Sequence, residues 1–118
     1  MRSVYKLLHS FHYAFQGLST LVRSERNIQL HLLATVVILL LGWLKGLTYM
    51  RWWLLLLAIA LVWITEALNT ALERLCNKVS TERHPLIKEV KDIGAAAVLI
   101  AALFALLTGI IVFFFPLH

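Results

Sequence analysis

The sequence predicts an all-α integral membrane protein, built from an N-terminal amphipathic interfacial helix and three transmembrane helices. Its composition is the first reason. Of 118 residues, 61% are hydrophobic and 14% charged, whereas a soluble domain carries about 45–50% apolar and 25% charged residues. A chain this short could not bury so many apolar side chains in one core. Three long apolar runs, almost free of charge, are the second reason. The third is that the net charge of +5 is concentrated in two segments, as expected for contact with lipid headgroups and phosphate-bearing ligands. No basic stripe on a soluble fold appears, so nucleic acid is not an expected partner. Nothing resembling a repeat or linker divides the chain, which reads as one domain, 1–118.

Residues 1–27 are too polar to span. Val4, Leu8, Phe11, Phe15, Leu18 and Val22 recur at alternating steps of four and three, while Arg2, Lys6, His9, His12, Gln16 and Arg23 lie mostly off that stripe. That periodicity predicts an amphipathic helix lying in the membrane interface, with a possible bend at Gly17; packing on a partner chain is the alternative. The first span covers about 28–44 and ends near Gly42, Lys45 and Gly46. Trp43, Tyr49, Trp52 and Trp53 cluster around the short connection, as aromatic side chains do at a membrane–water boundary. The second span covers about 52–72, its helix continuing to about Val79. Residues 80–90 read as a polar connection, and the third span covers about 93–115, where Gly94-Ala95-Ala96-Ala97 permits close helix approach.

The N-terminal segment carries Arg2, Lys6, Arg23 and Arg26, and the second connection carries Arg74, Lys78, Arg83, Lys88 and Lys91. The first connection has only Lys45 and Arg51, and the C-terminal tail has no Lys or Arg. This asymmetry predicts a cytoplasmic N-terminus and second connection in a cell membrane. Cys76 is the only cysteine, so no intrachain disulfide is possible; packing as a small apolar side chain is expected.

Glu66, Asn69 and Glu73 directly follow an apolar run. Their offsets of 0, 3 and 7 fall within roughly 60° on a helix. Two acids and an amide therefore share one face at the cytoplasmic membrane edge. Glu66 is the deepest, a position that suits a general base; an acid hydrogen-bonded between packed helices is the alternative. Glu25 is expected at a similar depth to Glu73, and paired carboxylates with phosphate oxygens are a usual way to hold Mg²⁺, although solvated interface acids would look the same. Lys91 and Asp92 begin the third span. Asp92 reads as a helix cap, and Lys91 as either a headgroup anchor or a phosphate-binding cation. The five histidines are scattered; His31 is expected to hydrogen-bond within the bundle. No Gly-rich phosphate loop or zinc spacing occurs.

Glu66-x-x-Asn69-x-x-x-Glu73 followed by Lys91-Asp92, between the second and third spans, resembles the small prokaryotic diacylglycerol kinases over essentially the whole chain. Glu25-Arg26-Asn27 with His31, and His84-Pro85-Leu86, resemble the branch of that family acting on undecaprenol. The resemblance implies an ATP- and Mg²⁺-dependent lipid kinase of the bacterial inner membrane, a homotrimer with active sites shared between chains. It also assigns roles. Glu66 is implied to take the proton of the lipid hydroxyl, and Asn69 to line the same site. Glu25 and Glu73 are implied to hold Mg²⁺ on the nucleotide. Lys6, Tyr13, Glu82, Arg83, His84, Lys91 and Asp92 are implied to contact the nucleotide. Glu66 and Ala95 are implied to belong to the lipid-substrate site, Ala95 standing where relatives carry serine. Gln16, His31 and Asn77 stand where the diacylglycerol branch tends to carry Lys, Glu and Asp. The expected reaction is therefore phosphorylation of undecaprenol, with diacylglycerol as the alternative substrate. A small oligomeric ion or proton channel lined by Glu66, or a purely structural membrane subunit, would be readings from other classes.

Overall fold

The computed structural model describes residues 2–79 and 84–115 and is helical almost throughout. The helices are α1 (Arg2–Ser24), α2 (Arg26–Lys45), α3 (Tyr49–Val79) and α4 (Pro85–Phe114). α2, α3 and α4 are long and apolar enough to cross a membrane. The chain divides into two compact units, Met1–Val37 and Ile38–His118.

In the first unit, α1 runs uninterrupted through Gly17. Its predicted stripe is uncovered: Val4, Leu8, Phe11, Phe15 and Leu18 are all exposed. Apolar side chains on a regular helix face stay in water only at a cost, so this face needs a cover. The α1–α2 junction is a one-residue break at Glu25, bridged by hydrogen bonds from Glu25 N to Leu21 O and from Gln29 N to Glu25 O. A helix end leaves carbonyls unsatisfied. The Gln29 side chain meets two of them, donating to Val22 O at 3.0 Å and Arg23 O at 3.4 Å.

In the second unit, Gly46 ends α2 with φ of +69°, the left-handed conformation that glycine adopts without steric penalty. Leu47 N reaches back to Gly42 O. A Cβ at Gly42 would lie 3.0 Å from both Leu47 Cδ1 and Trp52 Cη2, so those side chains would have to give way. α3 starts at Tyr49, where Thr48 Oγ1 accepts from Arg51 N.

α3 and α4 make the main helix pair of this unit. Leu55, Ala58, Val62 and Cys76 are buried on α3, and Gly94, Ala101, Thr108 and Val112 on α4. Steps of seven from Gly94 to Ala101 to Thr108 mark a seam of small residues, which lets two backbones approach closely where lipid supplies no competing hydrophobic drive. Cys76 is buried in it as a free thiol. On the outer faces, Leu57, Leu68, Ile93, Ile100 and Leu107 are well exposed, as lipid-facing positions would be.

One expected boundary needs correction. Residues 85–90 are not a connection, because α4 already begins at Pro85. His84 is its N-cap, with Nδ1 accepting from Leu86 N at 3.1 Å, and Pro85 occupies the first turn, where its missing N–H costs nothing.

Candidate active site

The seam between α3 and α4 continues past its apolar part into polar residues, and there the predicted site residues separate into distinct environments. Asn69 lies on the same helical stripe as Val62 and Cys76, each seven residues away, and so belongs to the seam. Its Oδ1 is buried without a hydrogen-bond partner and points at Gly94, where any added Cβ would collide with it. A backbone Cα–H is the nearest donor a glycine offers, and such contacts are common between closely packed helices. Glu66 and Glu73 stand about 40–60° round the helix from Asn69, both on the same side. Glu66 is half-buried and engaged by neighbouring groups, while Glu73 is exposed. The face predicted from spacing thus contains two kinds of position, an amide locked in the helix contact and two acids beside it.

On α4, Lys91 is half-buried and its Nζ donates to Asn77 Oδ1 at 2.6 Å across the helix pair. Asp92 does not cap a helix. It lies two turns inside α4, exposed, and accepts from Lys88 Nζ at 2.7 Å in an i, i+4 ion pair. The earlier start of α4 explains both facts: His84 caps the Leu86 amide and Pro85 has none to satisfy, so Asp92 lies beyond the terminus and pairs along the helix surface. Lys91 accordingly stands away from the helix terminus, and its attraction for anions comes from its own charge. Ala95 is exposed beside Gly94.

Of the other predicted residues, Lys6, Tyr13 and Glu25 belong to the first unit. Lys6 and Tyr13 are exposed on α1; Lys6 O accepts from Ser10 Oγ, and the Tyr13 ring stands 6.0 Å from that of His9. Glu25 is half-buried at the α1–α2 break. His84, predicted only as a nucleotide contact, has the capping role described above. Glu82 and Arg83 lie outside the described residues. Asn77 and Gly94 emerge as members of the cluster that spacing did not single out as site residues. Gly94 was legible as a close-approach position; Asn77 could be found only by pairing the helices.

Chemically, the second unit offers carboxylate and amide oxygens on α3 and, bound to one of those amides, an ammonium from α4. Oxygen donors of this kind suit Mg²⁺. Among the described residues no three His, Cys, Asp or Glu side chains converge as a closed cage. An open arrangement of that sort fits an ion carried with its own phosphate ligands and waters.

Comparison with known proteins shows the family of the chain. Residues 12–113 match the prokaryotic diacylglycerol kinase family model. The chain is 33% identical to an undecaprenol kinase of Bacillus subtilis over 92% of its length and 88% of that protein. It is 38% identical to a diacylglycerol kinase of Synechocystis over 87% of its length and 59% of that protein. It is 31% identical to a diacylglycerol kinase of Haemophilus influenzae over 92% of both chains. A helical chain with three potential spans, matched across nearly all its length, belongs to the prokaryotic diacylglycerol kinase family of lipid kinases.

Proposed function

We propose that this protein transfers the γ-phosphoryl group of ATP to the hydroxyl of undecaprenol, giving undecaprenyl phosphate at the cytoplasmic face of the bacterial inner membrane. The observation that carries the reading is the polar end of the α3–α4 pair, with Glu66 half-buried on α3 and Lys91 of α4 bound to Asn77, within the family match. The identity to a protein named undecaprenol kinase supports the choice of lipid. So do the Glu25-Arg26-Asn27 and His84-Pro85-Leu86 segments.

Phosphoryl transfer depends on positioning and charge neutralisation more than on covalent chemistry. Glu66 is the base: its carboxylate accepts the hydroxyl proton as the alcohol oxygen bonds to the γ-phosphorus and the bond to the β-phosphate oxygen breaks, releasing ADP. Its depth beside the apolar stretch suits a hydroxyl arriving laterally from the bilayer. Glu73, exposed two turns further along the same face, is a metal-holding carboxylate, and the family resemblance adds Glu25 as a second. Mg²⁺, when bound, offsets the charge of the triphosphate. Asn69 is fixed by the Gly94 contact and keeps α3 in register with α4. Lys91 holds phosphate through its ammonium, and Lys6, Tyr13, Glu82, Arg83, His84 and Asp92 belong to the nucleotide-binding part. The uncovered stripe of α1 lies on the membrane surface, and three chains assemble into the functional unit.

Competition between undecaprenol and diacylglycerol for labelled ATP tests the substrate. At equal mole fraction in detergent micelles, label is expected predominantly in undecaprenyl phosphate; predominant labelling of phosphatidic acid would overturn the choice and favour the activity named for the Synechocystis and Haemophilus relatives.

A further inference from the structure

Between the last two turns of α2 and the C-terminal half of α4 lies an apolar groove of about 680 Å³. Ile38, Leu41 and Leu44 line it from α2, and Ala105, Gly109 and Phe113 line it from α4. Lys45 is the charged residue of the lining, and its ammonium donates to Phe113 O and lies about 6 Å from the Phe113 and Phe114 rings. The rest of the lining is hydrocarbon, suited to an apolar chain. Gly109 makes the room. A Cβ added there meets nothing within 4 Å, whereas one added at Gly94 collides with Asn69 Oδ1. Glycine inside a helix is destabilising relative to alanine, and at position 109 no packed neighbour requires it. What it provides is space.

The level of the groove in the membrane identifies an occupant. Asn69 meets Gly94 and Arg51 meets Val112, contacts 18 residues apart on both helices, so α3 and α4 run antiparallel in a single register. At that register Glu66 is level with Ala97. Ala105 and Phe114 then lie about 12 and 26 Å beyond Glu66 along the helix axis. The hydrocarbon core is about 30 Å thick, so with Glu66 at one edge the groove occupies the far half. Acyl chains anchored in the near leaflet end close to the midplane. An undecaprenyl tail is much longer than a leaflet is deep, and it crosses.

We propose that this groove is a distal subsite for the isoprenoid tail of the lipid substrate, with Gly109 as its specificity-determining residue. The proposal rests on the reading of Glu66 as the base at the cytoplasmic edge and of undecaprenol as the substrate. Bilayer lipid is as apolar as the groove, so a tail gains nothing there by leaving water. It gains by close packing, and the fit of the slot therefore decides. Gly109 and Ala105, one turn apart, leave a slot wide enough for methyl-branched isoprene units. A side chain at position 109 fills that slot far from the reacting atoms.

The test compares full-length wild type, Gly109→Ala and Gly109→Leu in phosphatidylcholine nanodiscs at saturating Mg·ATP. Undecaprenol is offered beside two short-tailed substrates, farnesol and diacylglycerol. Gly109→Leu should lower kcat/KM for undecaprenol about tenfold relative to the short-tailed substrates, the change falling on KM rather than kcat. Gly109→Ala should give a smaller shift in the same direction. Thermal midpoint and oligomer mass should match wild type in both variants, because a Cβ at position 109 meets open space. An unchanged preference for undecaprenol, or an equal loss for every lipid, overturns the proposal. So does a lowered oligomer mass, which would assign the groove to a second copy of the chain. A wild type that phosphorylates diacylglycerol but neither isoprenoid alcohol overturns the substrate reading itself, and the proposal falls with it.

Discussion

The two ends of the α3–α4 pair treat charge in opposite ways. At the far end from Glu66, Arg51 donates to Val112 O at 2.8 Å and to Phe115 O at 2.7 Å. Lys45 donates to Phe113 O and lies about 6 Å from the Phe113 and Phe114 rings. Both cations are thus committed to the C-terminal carbonyls of α4, where the helix dipole is negative and the chain has run out of its own donors. At the Glu66 end the polar groups are held but not used up. Asn69 Oδ1 is buried without a partner, Glu73 is exposed, and Lys91 has a neutral partner. A helix end closed by its own side chains stabilises the fold, and a helix contact left with unmet polar capacity can bind and react. The pair of helices is the same, and among the described residues the difference lies in whether a cation is held by backbone carbonyls or by a side-chain amide.

That contrast can be broken most severely at Glu66. Replacing it by Gln keeps the shape and removes the base, so lipid phosphorylation should fall on the order of 10²- to 10⁴-fold. The thermal midpoint and oligomer size should stay at wild-type values in scanning fluorimetry and size-exclusion chromatography. Near-normal turnover would remove Glu66 from the chemistry.

A smaller effect is expected at Gly94, where a Cβ collides with Asn69 Oδ1. Gly94→Ala should destabilise by about 1–3 kcal/mol, as overpacking does, and lower activity about tenfold through displaced Asn69. Asn69→Ala in the same chain should return much of the stability and none of the activity. Additive losses in that double-mutant cycle would mean that the two residues do not meet.

The smallest effect on activity belongs to the opposite end. Arg51→Gln removes two charge-assisted bonds to α4 carbonyls and should cost about 1–3 kcal/mol of stability. It should lower the midpoint by several degrees while leaving specific activity at low temperature within about twofold of wild type. A large loss of activity at unchanged stability would show that the Arg51 end is not purely structural.

Much of this was legible along the chain, for identifiable reasons. The spans of α2, α3 and α4 follow from apolar runs, and the acidic face of α3 follows from three residues on one helix; both are local properties that need no neighbour. The start of α4 was misplaced because hydropathy marks the apolar part of a helix and is blind to polar turns before it. His84-Pro85 was the available signal, a proline suited to a first turn, but histidine is not among the favoured caps. Asp92 was consequently read as a cap when it is a surface ion-pair partner. Asn77 was noted for its lack of charge, yet nothing in its own helix shows that Lys91 reaches it.

Composition and helical period thus settle the membrane class, the number of potential spans and the presence of acids beside an apolar stretch, because each depends on one segment at a time. The pairing of Asn69 with Gly94, of Asn77 with Lys91, and of Arg51 with the end of α4 depends on the register between two helices. Side-chain size along the seam sets that register. It is a relation between segments, and it becomes visible only when α3 and α4 are packed together.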